Sequence, residues 1–181
     1  MQGQLRLTGG RRLHSPRGMG TRPTTGRVRE AIMNILAPRI ERSHWLDLCC
    51  GSGVMGCEAL QRGAINVVAI DRDSNATRIC EKNLRLTNEG CSRSATFTVV
   101  RSDVLRWLKR DWFEQPFDLV YFDPPYKAGL HQSGLNGLSE GSWLHPDSVV
   151  ICEYSSDDLF RPEGGWTELD RRRYGAVYSR T

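Results

Sequence analysis

Short apolar runs alternate with helix-like segments from Trp45 onward, and this alternation limits the possible folds more than any other feature. The runs span residues 45–49, 66–70, 95–100, 117–122 and 148–152. Because they are continuously apolar, they predict strands buried on both faces, as in a parallel sheet covered by helices on both sides. Two further runs, 166–173 and 176–180, flank Tyr174-Gly175 and predict a closing hairpin. The sequence therefore predicts one doubly wound α/β domain.

Local signals place the helices between these strands. Asp73 or Ser74 is expected to cap the helix after the second strand, and Gly90 is expected to end it. Leu105, Leu108 and Trp112 mark one face of a short helix before the fourth strand.

Composition excludes several classes of protein. The chain has 181 residues, of which 39% are hydrophobic, and it contains no apolar run long enough to span a membrane. Its first residues lack the apolar core of a signal peptide, so a cytoplasmic location is expected. The six cysteines form no C-x-x-C pair and the four histidines are dispersed, so we predict neither a disulfide framework nor a metal site.

Positive charge is concentrated in the first part of the chain. Seven arginines precede the first acidic residue, Glu30, although the net charge of the whole chain is only +4. Interleaved glycine and proline suggest that residues 1–24 form a basic arm or small hairpin attached to the domain of residues 25–181. Arginine binds phosphate well, so the arm predicts nucleic-acid contacts, with a solvated tail as the alternative. The predicted RNA-binding residues are Arg11, Arg12, Arg17, Arg27 and Arg29.

A glycine motif, GSGVMG, begins at Gly51 directly after the first predicted strand. It fits the G-x-G-x-x-G pattern, in which glycines permit a tight turn and a close backbone approach to a ligand. Asp71 ends the second strand 20 residues after Gly51, where its carboxylate is placed to bind ribose hydroxyls. This pattern alone also fits a nicotinamide oxidoreductase.

Two more carboxylates favour S-adenosylmethionine over a dinucleotide. Asp47 precedes the glycine motif within the strand, where it would repel a pyrophosphate but suit a sulfonium cofactor with an amino-acid tail. Asp103 follows the third strand and is placed to meet the adenine of such a cofactor. The alternative for Asp47 is an acid that caps a helix or braces a loop.

The fourth predicted strand ends in Asp123-Pro124-Pro125-Tyr126. Proline fixes φ and lacks an N–H, so the segment is a stiff set of acceptors beside a carboxylate and an aromatic ring. This set suits a planar group with an exocyclic amine: two acceptors bind the N–H hydrogens, and the ring stacks on the group. The alternative is a Pro-Pro turn whose aspartate caps the following helix.

The motifs resemble those of a known family, the bacterial RsmD-type 16S rRNA (guanine-N2)-methyltransferases. The stretch RPTTGRVREAIMNIL, from Arg22 to Leu36, resembles their RPTxxRVREalFniL signature. LDLCCGSGVMGCEAL likewise resembles their LDLFAGSGALGLEAL, and DPPY belongs to the wider class of amino methyltransferases. The resemblance extends from about Leu5 to the closing hairpin.

This resemblance implies a Rossmann-like, seven-stranded, mostly parallel sheet with a C-terminal antiparallel hairpin. It implies S-adenosylmethionine as cofactor and 16S rRNA as substrate, within an assembling or assembled small ribosomal subunit. The implied catalytic residues are Asp123, Pro124, Pro125 and Tyr126. The implied cofactor-binding residues are Asp47, Gly51, Ser52, Gly53, Asp71, Asp103, Arg22 and Thr24.

Other functions share some of these motifs. DNA or RNA methyltransferases of adenine N6 or cytosine N4 also use DPPY, but this chain has little room for a target-recognition domain. A catalytically inactive RNA-binding scaffold of the same fold is a further alternative, although it would have no need of the carboxylates. The Gly/Ser-rich segment 129–143 matches the family weakly, and the sequence predicts no role for it.

Overall fold

A computed structural model of the protein describes residues 5–15, 25–125, 128–154, 160–172 and 175–180. Within these ranges the strands are β1 (His44–Leu48), β2 (Asn66–Asp71), β3 (Thr96–Arg101), β4 (Phe117–Phe122), β5 (Leu144–Glu153), β6 (Trp166–Arg172) and β7 (Gly175–Arg180). The helices are α1 (Gly26–Ile40), α2 (Val54–Gln61), α3 (Ser74–Glu89), α4 (Val104–Leu108) and α5 (His131–Glu140).

The seven strands form one sheet in the order β3-β2-β1-β4-β5-β7-β6. Strands β1 to β5 pair in parallel, whereas β7 pairs antiparallel with both β5 and β6. The predicted doubly wound, mostly parallel sheet with a closing hairpin is confirmed. The strand order reverses between β1 and β4, and in open sheets of this kind ligands bind beyond the carboxyl ends of the strands at that reversal.

An apolar core lies on each face of the sheet. One core includes Ile32 of α1, Leu60 of α2 and Leu84 of α3. The other includes Trp107 and Trp143, whose ring centroids are 4.2 Å apart, and Leu135 of α5. These two layers explain why the parallel strands are apolar on both sides. None of the helices in the described ranges is long and apolar enough to cross a membrane.

Helix α3 begins and ends where its sequence signals predict. The Asp73 side chain accepts a hydrogen bond from the Ala76 N–H at 2.7 Å, which satisfies one free donor of the first turn. Gly90 follows the last residue, and its N–H donates to Thr87 O. Both predicted boundaries are confirmed.

Helix α4 differs from its prediction. It ends at Leu108, so Trp112 lies beyond it, and its buried residues are Val104, Trp107 and Leu108 rather than a face containing Leu105. Trp112 instead packs in the loop against Phe117, with ring centroids 5.2 Å apart. The predicted apolar face was therefore wrong, because the helix is only five residues long and the aromatic packing continues outside it.

The Gly/Ser-rich segment contains helix α5, which was not predicted from the sequence. Gly134 of α5 lies against the Phe122 ring of β4, where an added Cβ would be 2.4 Å from the nearest ring carbon. Gly137 lies similarly close to Leu108. Glycine disfavours a helix intrinsically, but here it allows α5 to approach the sheet closely.

We expect Gly134→Ala to destabilise the protein by about 1–3 kcal/mol, because the new methyl group overlaps the Phe122 ring. Helix propensity alone predicts the opposite sign, since alanine normally stabilises a helix relative to glycine by roughly 0.5–1 kcal/mol. Ser133→Ala, at the exposed neighbouring position, is the matched control and should be close to neutral. Urea denaturation measures both variants, and a Gly134→Ala protein as stable as the wild type would contradict the packing argument.

Candidate active site

The loop between β1 and α2 depends on residues in the left-handed backbone region. Cys49, Gly51 and Gly53 have φ values of 64°, 53° and 72°. A Cβ on Gly53 would be 2.4 Å from the Cys80 sulfur, so the loop also needs glycine there for close packing against α3. A Cβ on Gly51 would meet no atom within 4 Å, so the backbone at Gly51 faces open space. Gly51 thus offers exposed backbone to a ligand.

Four predicted cofactor and catalytic carboxylates surround this loop. Burial raises the pKa of the Cys49 thiol, and nearby negative charges raise it further. These charges belong to Asp71, Asp123, Asp47 and Asp103. The thiol therefore stays neutral and is a poor nucleophile. The backbone at Cys49 is left-handed, which costs on the order of 1 kcal/mol for a non-glycine residue. Such strain is consistent with a functional loop.

Asp47 lies on β1 beneath the loop and is 1% exposed. One carboxylate oxygen, Oδ2, accepts a hydrogen bond from the Gly56 N–H at 3.2 Å, and the other, Oδ1, has no partner among the described atoms. Burial raises the pKa of Asp47 to about 8; the Gly56 hydrogen bond lowers it, and the charges of Asp123 and Asp71 raise it. A buried, half-satisfied carboxylate of this kind favours a bound cation or proton donor.

Asp71 ends β2 and Asp103 follows β3, so both lie at the carboxyl ends of neighbouring parallel strands. The two oxygens of Asp71 accept backbone hydrogen bonds from Gly51 and Asp73, each at 2.9 Å, so Asp71 also holds the glycine loop in place. Asp103 is exposed and caps α4 by accepting from the Arg106 N–H at 3.0 Å. Each carboxylate oxygen can accept a further bond, so both remain available to a ligand.

The segment after β4 brings a fourth carboxylate to this edge. The Asp123 N–H donates to Leu48 O at 3.3 Å, which fixes the segment next to the end of β1. Burial raises the pKa of Asp123 to about 6. The Pro125 carbonyl accepts from the Ala128 N–H at 2.8 Å, whereas no donor in the described chain binds the Pro124 carbonyl. Among the described residues, the Pro124 carbonyl is therefore the prolyl acceptor without an internal donor. Tyr126 lies outside the described residues.

Buried polar contacts anchor the ends of β4 and β5 next to Asp123. The Tyr121 hydroxyl donates to the Glu153 carboxylate, and both residues are buried. His131 Nε2 lies 2.8 Å from the Glu153 carbonyl, which can only accept, so Nε2 carries the proton. These contacts give the Asp123 segment a rigid base. Among the described residues, no group of three or more His, Cys, Asp or Glu side chains could hold a metal ion.

Comparison with known proteins assigns the chain to a family. The family model described as Conserved hypothetical protein 95 matches residues 3–180. Ribosomal RNA small subunit methyltransferase D of Haemophilus influenzae is 34% identical over 181 residues, covering 97% of this chain and 92% of that protein. The chain belongs to this family. The resemblance inferred from the sequence is confirmed.

Other members of the methyltransferase D family agree with this assignment. The Escherichia coli K12 protein of the same name is 36% identical over 155 residues, which cover 83% of this chain and 75% of that one. The solved structure of yhhF from Escherichia coli has a TM-score of 0.82 at 32% identity and covers 98% of both chains.

The arginines predicted to bind RNA occupy different environments in this family member. Arg11 donates to the carbonyls of Leu86 and Thr87 at 2.8 and 3.3 Å, so it caps the end of α3. Arg29 is 6% exposed; it bonds to Arg6 O at 2.5 Å and lies 3.6 Å from the Glu58 carboxylate. Burial gives Arg29 an internal role, so its side chain is not available as an RNA contact.

Arg12 and Arg27 are exposed and accessible to a partner. Arg17, together with Arg22 and Thr24, lies outside the described residues.

Two buried polar residues that sequence reasoning missed attach the N-terminal segment to the site. Asn83 of α3 is fully buried; its Nδ2 donates to His14 O and Ser52 O, both at 2.9 Å, and its Oδ1 accepts from His14 N. Glu58 of α2 is also fully buried and accepts from the N–H and hydroxyl of Thr8. Each is a polar residue on the otherwise apolar face of its helix. That interruption is the sequence signal from which these two residues could have been predicted.

We expect Asp47→Asn to remove most of the pH dependence of stability. The raised pKa means that the folded protein binds a proton at Asp47 more strongly than the unfolded chain, where the ordinary value is 3.8. The free energy of unfolding of the wild type should therefore fall as pH rises from about 4 to about 8. Asp123 contributes in the same direction up to about pH 6.

Denaturant titrations at several pH values would measure this effect. The stability of Asp47→Asn relative to the wild type should increase from pH 5 to pH 8. Asp111→Asn, an exposed change in the loop between α4 and β4, removes the same charge and is the control. Parallel profiles for the wild type and Asp47→Asn would show that Asp47 is not the titrating group.

Proposed function

We propose that this protein transfers a methyl group from S-adenosylmethionine to the exocyclic N2 amine of a guanine in 16S rRNA. The observation that supports this most strongly is the convergence of four carboxylates around the glycine loop, with Asp123 and Pro124 at the adjacent strand end. The methyltransferase names of the relatives at 34–36% identity favour the same reaction.

The charges at the site suit this cofactor. When bound, S-adenosylmethionine supplies an electrophilic methyl group on a positively charged sulfur, and it also carries an ammonium group. The unpaired Oδ1 of Asp47 would accept from that ammonium, directly or through one water. Asp71 would accept from ribose hydroxyls and Asp103 from the adenine amine, while the open space at Gly51 admits the cofactor to the backbone of residues 51–53. Arg22 and Thr24 stay predicted contacts.

Asp123 and Pro124 would activate the target amine. The nitrogen lone pair of an exocyclic amine is delocalised into the base, so the amine is a poor nucleophile. Accepting its two hydrogens at the Asp123 carboxylate and the Pro124 carbonyl favours the geometry in which the lone pair points at the methyl group.

The same aspartate would remove the surplus proton. After the carbon–nitrogen bond forms, the nitrogen carries a positive charge. Asp123 accepts the proton and restores a neutral amine. A pKa near 6 makes it a stronger base than an ordinary aspartate. Tyr126 is proposed to stack on the base, with Pro125 holding the turn.

We further propose that the substrate is 16S rRNA within an assembling or assembled small ribosomal subunit in the cytoplasm. The target base must leave its stack to reach Asp123. In this proposal residues 1–24 form the RNA-contacting arm on the domain of residues 25–181. Arg12 and Arg27 would contact phosphates, because both are exposed, and Arg17 is proposed with them.

A labelling experiment tests the reaction directly. Small subunits from cells that lack the modification would be incubated with labelled S-adenosylmethionine and the protein, then digested, and the labelled nucleoside identified by mass spectrometry. We expect N2-methylguanosine. Methyladenosine or methylcytidine would assign the protein to another branch of the amino methyltransferases, and absence of label with intact cofactor binding would favour the inactive scaffold.

Asp123→Ala should lower the rate of methyl transfer by on the order of 100-fold or more, since it removes a preorganised acceptor and the proposed base. Asp123→Asn should lose less activity, because its amide oxygen can still accept one amine hydrogen. Single-turnover rates at saturating cofactor measure both effects, and calorimetry would verify that the variants still bind cofactor. An Asp123→Ala enzyme with near-normal turnover would refute the proposed role.

A further inference from the structure

We infer that the groove between α3 and the segment at His14 and Ser15 binds phosphates of the RNA strand that carries the target base. This inference rests on the proposed function, because it names a second contact of the same substrate. It adds Arg78 and Lys82 of α3 to the RNA-binding surface. Neither residue belongs to the basic N-terminal segment from which RNA contacts were predicted.

The groove has the size and chemistry of an anion site. It has a volume of about 230 Å³ and is lined by His14, Ser15, Asn75, Arg78, Ile79 and Lys82. None of these lining residues is acidic. A second groove of about 390 Å³ shares His14, Arg78 and Lys82 but is also lined by Glu81 and Glu89, so the part without acidic residues is the first groove.

The two cations are available to a partner. Arg78 donates to the side-chain oxygen of Asn75 at 2.9 Å, and in the described parts of the chain neither Arg78 nor Lys82 forms an ion pair with a carboxylate. Farther along α3, Arg85 is paired with Glu81 at 3.0 Å, so that part of the helix surface is largely neutralised. The unpaired positive charge on α3 is therefore concentrated at Arg78 and Lys82, before Arg85.

The position of the groove connects it to the proposed active site. Helix α3 begins three residues after Asp71, at the sheet edge that holds the carboxylates. Arg78 lies about 6 Å along the helix axis from its first residue, given a rise of about 1.5 Å per residue. The other wall is held to α3 by Asn83, which binds both backbone groups of His14 and also Ser52 O of the glycine loop. Both walls of the groove are thus connected to the glycine loop through Asn83.

Charge and spacing favour a nucleic-acid backbone as the occupant. Arg78 and Lys82 are one helical turn apart, about 6 Å along the axis, so they can bind successive phosphates of one strand. An acidic segment of a ribosomal protein is the competing partner. Binding measurements with protein-free RNA distinguish these two partners.

The test compares two double variants that lose equal charge. Arg78→Gln/Lys82→Gln changes the groove, and Lys109→Gln/Arg110→Gln removes two exposed cations from the loop that follows α4, at the opposite end of the strands. Binding to protein-free 16S rRNA would be measured from 50 to 300 mM salt, and methyl transfer to small subunits would be measured for KM and kcat.

We expect the groove variant to bind RNA on the order of tenfold more weakly near 0.1 M salt. Its log–log salt slope should be smaller by about 1.4, since each phosphate contact on a single strand contributes about 0.7. KM for the small subunit should rise while kcat and cofactor affinity change less than twofold. The control variant should change the slope much less.

Four outcomes would overturn the inference. Equal effects of the two double variants would mean that only net charge matters. A rise in KM on particles without weaker binding to protein-free RNA would indicate a ribosomal protein in the groove. A wild-type protein that neither binds nor methylates rRNA would remove the proposed function itself, whereas normal wild-type activity with an unaffected groove variant would refute the groove alone.

Discussion

The carboxylates gathered at the carboxyl ends of β1, β2 and β4 are the feature on which the rest of the site depends. Parallel pairing of these neighbouring strands places Asp47, Asp71 and Asp123 at one edge, where burial and mutual repulsion raise the pKa of Asp47 and burial raises that of Asp123. The glycine loop partly offsets this cost, because Gly51 and Gly56 donate backbone hydrogen bonds to Asp71 and Asp47. What remains is a set of carboxyl groups whose ionised forms a bound cation would stabilise. The proposed sulfonium cofactor, which also carries an ammonium group, would supply that charge.

The N-terminal segment is tied to this site through internal polar contacts. Leu7 and Leu13 are buried in the core, and Glu58 and Asn83 bind the backbone around them. Because Asn83 also holds Ser52 of the glycine loop, the segment, helix α3 and the cofactor loop form one unit. An RNA strand bound along α3 would consequently be held at a fixed position relative to the methyl donor. The proposed arrangement would allow RNA binding without a separate recognition domain among the described residues.

Sequence patterns predicted the strands, the glycine loop and the caps of α3 because these depend on local chemistry and on burial over a few neighbouring residues. They failed where a distant contact decides. Helix α5 packs closely against the sheet at Gly134, where the Phe122 ring leaves no space for a side chain. Arg29 was predicted from the basic N-terminal sequence to contact RNA. Its ion pair with Glu58, 29 positions later, instead keeps it buried. Asn83 and the groove at Arg78 likewise depend on where the N-terminal segment crosses α3, which no local pattern encodes.

Titration of the two carboxyl groups tests the central claim most directly. Carbon-detected NMR of the side-chain carboxyls of Asp47 and Asp123, assigned with the corresponding asparagine variants, would give their pKa values with and without S-adenosylmethionine. The account predicts values near 8 and 6 in the free protein and a fall in both when the cofactor binds, since a cation favours the ionised form. Ordinary values near 4 in the free protein, or no change on cofactor binding, would contradict it.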